Sequence, residues 1–312
     1  MHSILHYLFK WRLPLAMLVG VILTPLMVQL SSLMKPLLFG MLFLTFLKID
    51  WKDLKMGELH WLILACQALL PLIVYFAVLP FNKIVAMSIM VCAITPVATS
   101  SAVITKKIGG SAAKLSSFTM ISNLLTAIEV SIFFPLIVKD VNVSFWVPFR
   151  LIFTNLFILL ILPFLLSMLI KRISPKFHKS IRHYSGWSFY LLLISLAIVS
   201  GVTYDALIHS TGSSYTIIYM IIGSLLICLL QFVIGKSVGS IFNDSIDGGQ
   251  MLGQKNTILA IWMAQIFLDS PKGTGAIIAL GAGAYVLWQN LINGVQLAHY
   301  SAKILAYKNS RK

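Results

Sequence analysis

The chain has 312 residues, 59% of them hydrophobic and only 11% charged. A soluble domain carries about 25% charged residues, so this chain cannot cover a water-facing surface and is read as an all-α polytopic membrane protein. Its net charge of +15 comes from basic residues set between apolar runs, a distribution that argues against a nucleic-acid-binding surface.

The chemistry of soluble enzymes is missing as well. The three cysteines Cys66, Cys92 and Cys228 lie in apolar segments without C-x-x-C spacing, and the seven histidines show no metal-ligand pattern. There is no Walker loop, dinucleotide fingerprint or hydrolase elbow. An ATP-driven pump and an enzyme are therefore set aside, and no cofactor is expected.

In hydrocarbon every backbone amide must be bonded within protein, so long apolar runs with short polar joints read as spanning helices. Ten are expected, at 13–31, 34–48, 59–79, 84–104, 113–138, 147–170, 188–208, 215–235, 249–268 and 274–301. The first is long enough to span and has no cleavage site behind it, so it is not read as a signal peptide. Trp11, Trp51, Trp146 and Trp187 near span ends fit interface anchors.

Orientation follows from the basic residues. With both termini cytoplasmic, 18 Lys and Arg fall on inside segments and 5 on outside segments, leaving Lys255 in neither class. The expected location is the bacterial inner membrane.

The longest polar joint, 171–185, separates 1–170, holding the first repeat of five helices plus the sixth span, from 171–312, holding the seventh to tenth. Five is odd, so the second group of five must enter the membrane from the opposite side, which is the inverted repeat of secondary transporters. In each half the fourth helix is interrupted, at Thr95–Ser101 and at Asp247–Thr257. Broken helices with freed amides and carbonyls are ligand sites when they line a cavity.

Polar residues within the spans are the candidate site. The first break supplies Pro96, Thr99, Ser100 and Ser101, and the second Gln254, Lys255, Asn256 and Thr257. The fifth span carries Ser116, Ser117, Thr119, Ser122, Asn123 and Thr126 within eleven positions; such residues either bond back to their own helix or line a polar cavity. Gln67 in the third span and Asn290, Asn293 and Gln296 in the tenth are able to complete it. Two placements stay open for Lys255, snorkelling to the cytoplasmic headgroups or lying at mid-depth, where a buried ammonium needs a counter-charge. Glu129 is its candidate partner, unless that carboxylate faces the outer headgroups.

At these residues the sequence resembles the bile acid:sodium symporter family. Pro96-Val-Ala-Thr99-Ser-Ser101-Ala-Val-Ile-Thr105 follows that family's P-G-G-T-A-S-N-x-x-T pattern. Gly253-Gln-Lys-Asn256-Thr257 follows E-x-G-M-Q-N-S, and Trp288-Gln-Asn290 follows W-H-N. The resemblance implies ten helices in two inverted five-helix repeats, with helices four and nine broken and crossing at mid-membrane. It implies a panel of helices 1, 2, 6 and 7 moving against a core of helices 3–5 and 8–10. Two sodium ions would bind behind the crossing and an organic anion in front of it.

Carried over position by position, the sodium ligands are depleted. The family's Asn falls at Ala102, the Glu serving both ions at Met251, the Gln four residues later at Lys255, and the fifth-helix Ser at Leu115, beside Ser116. Thr119 and Gln67 remain, and Gln254 joins Ser116 as a donor if sodium binds at all. A thioether is a poor ligand for a hard cation. The expectation is a transporter of a small organic anion, bile-salt-like or another carboxylate, with Lys255 in place of the cation and possible coupling to protons. Sodium symport through shifted ligands and a membrane-embedded sensor without a transport cycle are the alternatives. Expected partners are lipid, the anion, and protons or sodium.

Overall fold

The computed structural model describes residues 11–48, 52, 55–98, 100–137, 146, 150, 154, 157–209, 213–268 and 274–309. Among these the protein is all-helical, with two extended residues, Val97 and Lys255, forming an isolated bridge. Among the described residues, five helical runs are long and apolar enough to cross a membrane: Thr24–Phe46, Glu58–Val78, Ala112–Phe134, Pro175–Asp205 and Ser214–Ile241. Two further apolar helices, Arg12–Ile22 and Lys83–Ile94, fall short of that length.

The chain begins with α1 (Arg12–Ile22) and α2 (Thr24–Gln29), then turns through a 3-10 segment, Leu30–Leu33, into α3 (Met34–Phe46). Arg12 lies over Phe189, a Cβ on Gly20 would meet the Ala197 carbonyl, and Met27 lies against Gly201, so α1 and α2 run alongside α10 (Ser188–Ile208) in its own direction. Met34 and Leu37 lie by Ile198 and Val202, whereas Gly40 faces Leu191, so α3 runs the opposite way. The run counted as Thr24–Phe46 therefore reverses at Leu30–Leu33, at the joint the hydropathy pattern predicts.

Next come α4 (Glu58–Val78) and α5 (Lys83–Ile94), the latter capped by Asn82, whose side chain accepts from the Val85 amide at 3.1 Å. After a break, α6 (Ser101–Lys107) leads through Gly109, at φ +94°, into α7 (Ala112–Ile137). Beyond a π-turn at Phe157–Ile161 follow α8 (Leu162–Ile173) and α9 (Pro175–Arg182), so much of the predicted polar joint 171–185 is itself helical. The second half continues with α11 (Ser214–Ile241), α12 (Ser245–Gly253), α13 (Thr257–Phe267) and α14 (Thr274–Asn309).

The second break is shorter than the sequence suggests. Asp247 to Gly253 is helical, and only Gln254–Asn256 departs from helix. The glycines there serve packing rather than disruption. A Cβ on Gly248 would stand 2.3 Å from the Gly235 carbonyl, and one on Gly235 would stand 2.3 Å from that of Gly248. Helices α11 and α12 thus touch backbone to backbone, which only glycine permits.

Two packing groups result. α1, α2 and α3 pack on α10, with α8 against α3. α12, α14 and α5 pack on α11, with α4 on α5 and α13 on α14. One apolar cluster fills the second group around Met90, Ala260 and Tyr285. Another joins the two groups, from Leu13 and Leu42 to Leu115 and Met251.

Candidate transport site

Pro96 has no amide to donate and disfavours helical backbone at the preceding residue. Thr95 accordingly turns to ψ 137° and α5 stops. On the other strand Gln254 is extended, at φ −97° and ψ 107°. The two extended pieces meet antiparallel: the Ala98 amide donates to the Gln254 carbonyl at 2.9 Å and the Asn256 amide to the Pro96 carbonyl at 2.8 Å. Helix breaks from the two halves of the sequence are therefore tied to each other.

Breaking a helix inside protein strands polar groups that must find partners. Side chains from four helices provide them. Thr126 donates to the Ile94 carbonyl at 2.9 Å and Gln231 to Ala93 at 3.3 Å, while the Tyr285 hydroxyl lies 2.7 Å from the Gly253 carbonyl. Ser122 accepts from the Val97 amide at 3.1 Å and donates to Gln67 Oε1 at 2.7 Å. Gln67 donates in turn to Thr126 at 3.2 Å. Gln289 brackets the Lys255 backbone, accepting from its amide at 2.7 Å and donating to its carbonyl at 3.2 Å. Asn256 caps α13 by accepting from the Leu259 amide at 3.3 Å.

Gln231, Tyr285 and Gln289 were not singled out by the sequence reading. The available signal was an amide within the apolar eighth span and the middle residue of Trp288-Gln-Asn290, with Tyr285 one helical turn before Gln289.

Lys255 is 0% exposed, which rules out snorkelling to the headgroups. Its Nζ has no hydrogen-bond partner, nor has either carboxylate oxygen of Glu129, which is 5% exposed. The two groups form no ion pair within 4.0 Å, and each lies within electrostatic range of the other, as Cys92 does of the ammonium. Glu129 is thus buried inside protein rather than turned to the outer surface.

The remaining polar residues divide. Ser116, Ser117, Thr119 and Asn123 bond to carbonyls four residues back in α7, the packing arrangement rather than a cavity lining. Asn290 does the same with Val286 at 2.8 Å. Asn293 and Gln296 accept from Gln250, at 2.8 and 3.2 Å. Ser101 Oγ and Gln254 Oε1 are buried without partners. Thr99 lies outside the described residues.

A small pocket of about 60 Å³ lies between the crossing and the first packing group. Leu38 of α3 and Leu192, Ser195, Leu196 and Val199 of α10 form one wall. Ala98, Ser100, Lys255, Asn256, Thr257 and Ile258 form the other, with Val286, Gln289 and Asn290 from α14. Of the predicted site residues, the structure therefore gathers Ser100, Lys255, Asn256, Thr257 and Asn290 at the pocket. Gln67 and Ser122 instead brace the crossing from α4 and α7.

Two broken helices joined at their breaks, with a partly polar pocket against them in an apolar helical chain, are the arrangement expected of a membrane transporter. The family model described as the Sodium Bile acid symporter family matches residues 35–210. The chain belongs to that family, and it is a multi-pass membrane transporter rather than an enzyme. The match includes the first break and ends before Lys255. No curated protein matches the chain.

Proposed function

We propose that the chain carries a small organic anion by alternating access, without sodium, and that the Lys255 ammonium occupies the role of the bound cation. One observation carries this reading. Ala102, Leu115 and Met251, where the family resemblance would put sodium ligands, lie together in a buried apolar cluster, while a lysine is buried at the crossing. Sodium needs several oxygen donors, and an ammonium nearby repels it.

In this reading ten spans form two inverted repeats, with both termini on the cytoplasmic side of a bacterial inner membrane. The first packing group is the panel and the second the core. The anion sits in the pocket between them, facing the N-terminus of α13, where the first amides and the helix dipole favour negative charge. Ser100, Asn256 and Thr257 offer hydrogen bonds beside it, and the apolar α10 wall suits the hydrocarbon part of the anion. Lys255 and Glu129 together form a buried pair able to take up or release a proton as the pocket changes sides.

A second reading, sodium symport through shifted ligands, draws on the buried oxygens of Ser101, Thr105, Gln250 and Gln254, which have no partner. Exchange of labelled taurocholate into vesicles preloaded with unlabelled taurocholate separates the two. The anion reading expects exchange in sodium-free choline buffer at the rate seen with sodium. An absolute sodium requirement supports shifted ligands, and no exchange under any condition rejects a bile-salt-like substrate.

A further inference from the structure

Five cations gather where the two packing groups meet, away from the crossing. Arg12 opens α1, Lys48 follows α3, Lys106 and Lys107 close α6, and Arg182 closes α9. Lys107 lies within electrostatic range of Arg12 and Lys48, and Lys106 within range of Lys48, Lys107 and Arg182. Among the described residues, every charged neighbour bearing on the two lysines is a cation.

Phe189 organises the centre of this cluster. Its ring, 2% exposed, has Arg12 Cζ at 5.8 Å from the centroid and Lys107 Nζ at 5.1 Å. One cation comes from α1 and the other from α6. Attraction to the ring offsets part of their mutual repulsion, and the C-terminal carbonyls of α6 offset a little more. Lys106 and Lys107 nevertheless remain exposed and close to like charges. Phe189 is one helical turn along α10 from Leu192, which lines the transport pocket, so the cluster marks the end of the seam that leads there.

We propose that Arg12, Lys48, Lys106, Lys107 and Arg182 form a second anion site, which binds a phosphate or carboxylate oxyanion between α6 and the ends of α1, α3 and α9. Guanidinium and ammonium donors suit such a group, and the shared Phe189 ring brings Arg12 and Lys107 together from two helices. The bound anion bridges the helix ends at this end of the seam. The anion comes either from solution, as cargo entering or leaving the pocket, or from an anionic lipid headgroup.

The test is the melting temperature of the full chain in detergent, with two probes. One is pyrophosphate at constant ionic strength, and the other is phosphatidylglycerol against phosphatidylcholine in mixed micelles. A ligand of the folded state raises Tm by linkage, here by about 2–4 °C. Lys106→Gln with Lys107→Gln should lose most of that rise, while Lys176→Gln with Lys179→Gln, the same charge removed from α9, should keep it. A response to pyrophosphate identifies a soluble anion, and a response to phosphatidylglycerol alone identifies the lipid. The site is overturned if neither probe raises Tm, or if both variants lose the rise equally. Relieved of repulsion, the Lys106/Lys107 variant should melt no lower than wild type; if it fails to fold, Lys107→Gln alone carries the same comparison.

Discussion

Lys255→Gln and Glu129→Gln should each destabilise the protein by about 1–4 kcal/mol, with opposite dependence on pH. Each substitution leaves one buried charge without its counterpart, and burial then drives the survivor to its neutral form. A lone Glu129 must take up a proton, so the Lys255→Gln loss grows as pH rises. A lone Lys255 must give one up, so the Glu129→Gln loss grows as pH falls. The double variant removes both charges and should recover about 1–3 kcal/mol of the summed losses, with a flat profile. Melting curves between about pH 5 and pH 9 read all three. Parallel profiles for the two single variants would show that the groups do not compensate each other. In vesicles, Lys255→Gln should also abolish any pH dependence of anion exchange, whereas an unchanged pH profile would remove the lysine from coupling.

Gln289→Ala should be the most damaging substitution among the uncharged residues at the pocket. It deletes both bonds to the Lys255 backbone and strands the buried Lys255 amide, while the carbonyl keeps its bond from the Thr257 amide at 3.0 Å. The stranded amide costs about 1–3 kcal/mol, and the crossing that aligns the two breaks loses one of its braces. The adjacent Asn290 donates to Val286 of its own helix, so Asn290→Ala should cost no more than about 0.5–1.5 kcal/mol. Melting of the two variants side by side checks the contrast. Equal losses would mean that the crossing does not depend on the bracket. Gln289→Glu keeps the acceptor for the Lys255 amide but loses the donor, and should fall between wild type and Gln289→Ala.

The helical breaks were legible because proline and unusual polarity mark them locally. Pro96 with the hydroxyl-rich run after it announced the first break, and a lysine within an apolar stretch announced the second. The extent of the second break was not legible. Gly248 and Gly249 look like disruption in one dimension, and only their contact with α11 shows that they permit close packing inside a continuous helix. The polar face of α7 was ambiguous for a related reason. A hydroxyl in hydrocarbon bonds back to its own helix or reaches another element, and composition cannot distinguish the two. Ser116 and Thr119 bond back, while Ser122 and Thr126 reach the crossing. Gln231, Tyr285 and Gln289 act through carbonyls and amides distant in sequence, so no spacing rule pointed to them. The cationic cluster around Phe189 likewise depends on four helix ends meeting, although the basic residues themselves were counted from the sequence as inside charges.

The central claim is that a buried lysine stands where the family binds sodium, and thermal stability tests it without knowledge of the substrate. Purified protein should be melted in NaCl raised to about 200 mM, against KCl and choline chloride at matched ionic strength. Curves for the three salts should superimpose. A saturable rise in Tm produced by sodium and by neither of the others would contradict it, and would assign the unpartnered oxygens of Ser101, Thr105, Gln250 or Gln254 as ligands.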